Sequence, residues 1–282
     1  GKSGSVVIYE VRQDGGINRM KFIYDETDMY VVSTSGVWME NNTPGIAYTS
    51  YTRIKEWEYT ENGWFCYELC VPEPPEVTEI MDGSCLIRII PMPEKERELS
   101  KLCVQGIGYQ GNNLLCSDWD LDNLDALDYN GLYEYLYRMK YGEQLQAENY
   151  TDGIPKAEFE SLMMEYFPIS EEELQKYAEF DEKTSRYAWA SLGCGNYVPN
   201  FLGTSVPEVV EIKENLDDTV TLTVNAVCDM VICNDALITH KLTVKFKEDG
   251  SFQYLGNEIW EEDKINVPEY QYRVKGEIKN GS

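Results

Sequence analysis

The stretch Val220-Thr221-Leu222-Thr223-Val224-Asn225-Ala226 decides the fold class, together with its answer, Ile238-Thr239-His240-Lys241-Leu242-Thr243-Val244-Lys245-Phe246. Val220, Leu222, Val224 and Ala226 alternate with threonines and an asparagine, and Leu242, Val244 and Phe246 alternate with threonine and lysines. A period of two with one apolar and one polar set is what a half-buried strand requires, because successive side chains point to opposite faces. Glu248-Asp249-Gly250-Ser251 then reads as a hairpin turn, and Phe252 and Tyr254 open a further strand with their rings inward. The expectation is an antiparallel meander. Its threonine-and-lysine side faces water, and its valine-and-leucine side, His240 included, lies against other elements.

Upstream of this ribbon the periodicity changes. Asn130 to Tyr141 places Leu132, Tyr133, Leu136 and Met139 on one helical stripe, with Gly142 to close it. Pro155 begins a second helix through about Tyr166. Ser170 and Glu173 form a capping box for a third that runs to about Phe180, with Ile169 and Leu174 as a hydrophobic staple. Further upstream the chain is strand-rich. Arg53 to Thr60 and Trp64 to Val71 flank Asn62-Gly63, a strong hairpin signal. Val6 to Val11 and Lys21 to Tyr24 flank Asp14-Gly15-Gly16. Met29 to Ser33 and Val37 to Glu40 flank Thr34-Ser35-Gly36, read as a short hairpin turn. Cys85 to Ile90 is a further apolar run, and Glu94 to Leu99 a short helical turn or loop.

Segregated strands and helices make this an α+β protein. The expected organisation is a β-rich N-terminal domain over residues 1–117 and a domain of three helices on an antiparallel meander over residues 118–282, with the boundary near residues 117 to 128. Helices followed by a meander also suit an NTF2-like or cystatin-like arrangement, as a fold analogy only.

The 24 basic and 50 acidic side chains leave a net charge of −26. Such a surface repels phosphate backbones and anionic lipid, so nucleic acid and direct membrane-surface binding are not expected. The start Gly1-Lys2-Ser3-Gly4-Ser5 reads as the scar of a removed targeting segment followed by a small-residue tether. Membrane association is then expected only through an N-terminal anchor outside this chain. The eight cysteines are too sparse for a disulfide scaffold, and buried, inert thiols are the favoured reading; a Cys228–Cys233 bridge across a loop is the minor alternative.

Candidate chemistry is thin. His240 is the single histidine and sits on the apolar side of its strand, which suits a hydrogen-bonded core residue. A Ser/His/Asp or Cys/His mechanism would have to use it, and a multi-histidine metal site is impossible within one chain. Asp118-x-Asp120-x-Asp122 opens like a calcium loop, but Asn123 stands where glycine is wanted and Tyr129 where a bidentate glutamate belongs. Those three aspartates are weak metal candidates, and an acidic linker ahead of a helix is the simpler reading. No cofactor motif is present. The 21 tyrosines, 6 tryptophans and 8 phenylalanines allow a sugar-stacking platform of at least two coplanar exposed rings, or simply an aromatic core.

The run from Gly108-Tyr109-Gln110 through Ser117-Asp118-Trp119-Asp120 to Leu132-Tyr133-Glu134-Tyr135-Leu136-Tyr137-Arg138-Met139-Lys140 resembles a family of uncharacterised exported proteins or lipoproteins of Gram-positive, clostridia-like gut bacteria. The closing run from Thr219-Val220-Thr221 to Leu255-Gly256-Asn257 is similar to the same family. The resemblance implies an extracellular or envelope location and carries no assigned chemistry. The resulting expectation is a non-catalytic, surface-associated binding or interaction module for an extracellular ligand, glycan or protein. The alternative is a secreted hydrolase acting on glycans through paired carboxylates.

Overall fold

The computed structural model describes residues 2–11, 15–39, 43–70, 84–193, 200–228 and 235–274. The chain divides into two units, one containing Gly1–Pro91 and the other Met92–Cys228 with Asp235–Ser282. Strands dominate the first, and the second combines helices with sheets, an α+β arrangement. The boundary expected near residues 117 to 128 falls inside the second unit. Cys103, Val104, Leu114 and Leu115 are buried in that unit's core, which ties the preceding stretch to the helices.

The first unit is a six-stranded antiparallel sheet in sequence order: β1 (Gly4–Val11), β2 (Ile17–Tyr24), β3 (Met29–Trp38), β4 (Pro44–Tyr59), β5 (Trp64–Leu69) and β6 (Ser84–Arg88). Asn62-Gly63 makes the β4–β5 turn, with Gly63 at φ 82°, a conformation that favours glycine. The turn expected at Thr34-Ser35-Gly36 is not formed. These residues continue β3 along β4, and the register shifts between Ser35 and Gly36. A bulge takes up the irregularity instead of a reversal.

Phe22, Val31, Ile54 and Tyr67 form the small buried core on one side of this sheet. Phe22 on β2 meets Phe65 and Tyr67 of β5 edge-on at 5.3 Å, so the sheet curls around that inner face. On the outer face, register aligns Val7, Lys21, Val32 and Tyr51 in one row and Tyr9, Arg19, Thr34 and Thr49 in the next.

In the second unit, α1 (Glu94–Leu99) runs into a π-helical turn at Ser100–Val104. The three helices read from sequence follow as α2 (Tyr129–Tyr141), α3 (Lys156–Tyr166) and α4 (Glu171–Tyr177). Asp128 caps α2 by accepting from the Gly131 amide at 2.9 Å, and the Ser170–Glu173 capping box starts α4. Three short strands, β7 (Ile154–Pro155), β8 (Phe180–Asp181) and β9 (Arg186–Tyr187), pair in the order β7-β9-β8. A short helix, α5 (Phe201–Thr204), leads into the meander. Its strands β10 (Val206–Glu214), β11 (Val220–Val227), β12 (Thr239–Phe246) and β13 (Phe252–Ile259) pair in sequence order.

Rings fill this core. Phe159 lies between Tyr133 and Tyr187, stacked at 5.4 Å and 4.0 Å, and Tyr166 and Phe167 pack on Phe252 and Tyr254 of β13. Leu222, Val224, Ala226, Leu242, Val244 and His240 are all sealed from solvent on the apolar side of the meander. Both edges of this sheet are engaged. The Ser100 hydroxyl accepts from the Val209 amide at 2.8 Å on the β10 side, and Trp119 bridges Asn257 on the β13 side.

The polar side is not simply wet, and here the expectation is corrected. Thr219, Thr223 and Asn225 are buried. They belong to or border an interior strand, and longer neighbours on β10 and β12 cover them. Thr223 donates to Glu211 Oε2 at 3.1 Å, and Thr239 donates to Asn225 Oδ1 at 3.1 Å.

Candidate functional site

On that polar side lies an open groove of about 840 Å³. Its floor is two cross-sheet rows fixed by strand register. One holds Glu211, Thr223, Lys241 and Glu258; the other holds Lys213, Thr221, Thr243 and Gly256. Its rim is the segment from Asp118 to Asn123, held against β13 by the mutual backbone bonds of Trp119 and Asn257, 3.0 and 2.8 Å. Gly256 makes this approach possible. A Cβ there would sit 3.1 Å from the Trp119 carbonyl oxygen and 3.5 Å from Asp120 Cα. At the far end Asp217 accepts from the Thr219 hydroxyl at 2.7 Å and from its amide, which holds the Asp217 carboxyl below its usual range.

The three aspartates suggested by the calcium-like spacing are on the rim but do not converge. Asp118 Oδ1 accepts from the Ile259 amide at 2.8 Å, and Oδ2 pairs with Lys264 Nζ at 2.9 Å. Asp120 accepts from the Asp122 amide at 2.9 Å and so shapes its own turn. Lys264 also pairs with Glu261 at 2.6 Å, and these two carboxylates raise the pKa of its ammonium. Among the described residues no group of three or more His, Cys, Asp or Glu side chains is gathered as a metal site would need.

Behind the groove, on the dry side of the same sheet, His240 is enclosed. Nδ1 lies 2.6 Å from Asn257 Oδ1, and Nε2 lies 2.9 Å from the Tyr109 hydroxyl. Asn257 uses its amide nitrogen on the Ser117 carbonyl at 2.9 Å, so its oxygen faces the ring and requires a proton on Nδ1. Nε2 then accepts from Tyr109. Desolvation pushes the imidazole pKa down to about 4, against the opposing pull of the Asn257 bond, so the ring is neutral at physiological pH. This histidine holds one tautomer between two partners and is sealed from solvent.

Glu160, Arg273 and Asp128 are buried polar groups that are likewise engaged. Glu160 Oε1 accepts from Tyr187 at 2.8 Å and Gln175 at 2.9 Å. Arg273, whose side chain is 1% exposed, pairs with Glu134 at 2.9 Å and donates to the Gly111 carbonyl at 2.8 Å, while Tyr270 donates to Asp128 at 2.6 Å. These bonds fasten the 270–273 stretch to the start of α2. Burial pushes the Cys103 and Cys116 thiols up to about 12, which keeps them protonated and unreactive. Cys194 and Cys233, and with them the alternative bridge, lie outside the described residues.

Among the described residues the groove is lined by one aromatic ring, so the pair of coplanar exposed rings expected of a sugar-stacking platform is not found there. The ring at the groove, Trp119, is 3% exposed and donates from Nε1 to the Leu114 carbonyl at 2.9 Å. In the first unit Tyr30 and Tyr51 stack on each other at 5.2 Å, so their faces cover one another instead of lying side by side.

Residues 1–273 match a family described only as a family of unknown function, DUF6070. The chain belongs to that family. No curated protein and no solved structure matches it. The DUF6070 fold seen here therefore has to be read for function from its own geometry. Among the described residues the groove is a concave feature of hydroxyls and charges over a paired sheet, with neither histidine nor thiol among the lining residues.

Proposed function

We propose that this protein is an exported, surface-associated binding module, non-catalytic, whose ligand occupies the groove on the polar side of the meander. The observation that carries the reading is the floor itself. Thr221 and Thr243 offer hydroxyls, and Lys213 and Lys241 offer ammonium groups that meet no carboxylate within 4 Å among the described residues. Such a lining suits a hydroxylated ligand that also bears an anionic group, such as a uronic-acid-containing glycan, with Lys on its carboxylate and Glu258 on its hydroxyls. Export rests on the resemblance of the central and closing motifs, and cell fractionation tests it.

The carboxylate geometry favours binding over hydrolysis. Glu211 and Glu258 lie on the first and fourth strands of one row, roughly 14 Å apart at the backbone with Thr223 and Lys241 between them, and Glu211 is engaged by the Thr223 hydroxyl. Asp118 lies closer to Glu258, one position before the Trp119–Asn257 bridge, but both its oxygens are engaged by Ile259 and Lys264.

Isothermal titration with neutral and uronic-acid oligosaccharides tests the reading. Binding of the acidic members that weakens at least tenfold in Lys241→Glu and in the groove-filling Thr221→Trp is the expected result. Absence of binding across the panel, or release of reducing ends that stops in Glu258→Gln, would contradict it.

A further inference from the structure

We infer a second interaction surface, on the outer face of the N-terminal sheet, that docks an acidic protein partner. Across β1 to β4 the residues sharing this face include Tyr9, Arg19, Lys21, Tyr30, Tyr51 and Arg53, and the four aligned rows from Ser5–Arg53 to Val11–Ile46 contain no carboxylate. In a chain with twice as many acids as bases, that local reversal of sign sets the face apart. Arg53 is neutralised by Asp28 at 3.1 Å, but Arg19 and Lys21 meet no carboxylate among the described residues. Around them the surface is apolar and aromatic: Tyr9 is 62% exposed, Tyr51 64% and Val7 38%.

Shape narrows the partner. The sheet curls toward Phe22, Phe65 and Tyr67, so among the described residues this outer side is convex and forms no cleft for a small ligand or sugar chain. Tyrosine and arginine around an apolar centre without carboxylates is the composition of protein-interface cores. Two copies meeting through this face by two-fold symmetry would set Arg19 and Lys21 against themselves, so the complement is an acidic surface of a different protein. Four strands of eight residues give a patch of roughly 14 by 27 Å, about half the footprint of a standard stable complex, which makes the contact a transient one.

Poly-L-glutamate serves as the probe, with dextran sulfate and anionic phosphatidylglycerol vesicles as the competing classes. Titrations are run at 0.1 M salt, where a screening length of about 10 Å removes the distant carboxylates of the chain. The expected result is poly-L-glutamate binding that falls at least tenfold in Arg19→Glu/Lys21→Glu, is reduced severalfold in Tyr51→Ala, and is unchanged in the groove variant Lys241→Glu. Arg19→Gln/Lys21→Gln gives the same loss without reversing charge, and circular dichroism confirms that each variant is folded. Equal binding by wild type and the double variants would overturn the inference. So would stronger, Arg19/Lys21-dependent binding to dextran sulfate or vesicles, or self-association of the chain through this face in light scattering.

Discussion

Two antiparallel sheets in this chain solve the same packing problem in opposite ways. The C-terminal meander has helices on its apolar side and cover on both edges, and its interior strands are sealed. Among the described residues the N-terminal sheet has six strands but a core cluster of four buried side chains with seven partly buried neighbours, and it leaves Val6, Tyr9, Val11, Ile46, Tyr48 and Tyr51 more than half exposed. Strand count is therefore a poor guide to where stability lies; what matters is how many apolar faces find a partner. Freed from supporting a core, the two outward sides diverge in chemistry. One is a concave, hydroxyl- and charge-lined groove, the other a convex face of tyrosine, valine and cation.

The contrast breaks most readily at Phe159. Removing this sealed, doubly stacked ring by Phe159→Ala should cost about 3–5 kcal/mol in the unfolding of the second unit, read by calorimetry. A change under 1 kcal/mol would mean that the aromatic stack does not hold that unit together.

The next effect is pH-dependent. His240 titrates at about 4 when folded and near 6.5 when exposed. The unfolded chain therefore binds the extra proton between those values, and stability present above pH 6.5 is lost as pH falls toward 4, by about 3 kcal/mol. Denaturant unfolding of wild type and His240→Gln across this window should show a steeper loss for wild type. Parallel slopes would mean that the ring is not sealed.

At the small end, Tyr51→Ala should shift stability by no more than about 0.5 kcal/mol, since the ring is 64% exposed and contributes to the surface instead of the core. A loss above 2 kcal/mol in thermal melts would show that the outer face of the N-terminal sheet is structural.

Much of the second unit was legible because its local signals agree with its tertiary role. The Ser170–Glu173 box, the 3.6-residue stripe of Leu132 and Leu136, and the two-residue period around Leu222 and Leu242 each report burial directly. His240 was readable for the same reason: its position in the alternation fixed its side. The groove was not. Thr221, Lys213 and Glu258 announced a polar face, but the wall built from Asp118 to Asn123 depends on a bridge across 138 positions, from Trp119 to Asn257, that no local pattern encodes. In the first unit, Thr34-Ser35-Gly36 looked like a turn because its composition is turn-like, while pairing on both sides of β3 keeps it extended.

Hydrogen–deuterium exchange resolved by strand tests the central contrast most directly. Amides of β11 and β12, enclosed between paired strands with covered edges, should exchange at least about a hundredfold more slowly than those of β1 and β2 under native conditions. Equal protection in the two sheets, or slower exchange in β1 and β2, would contradict the account.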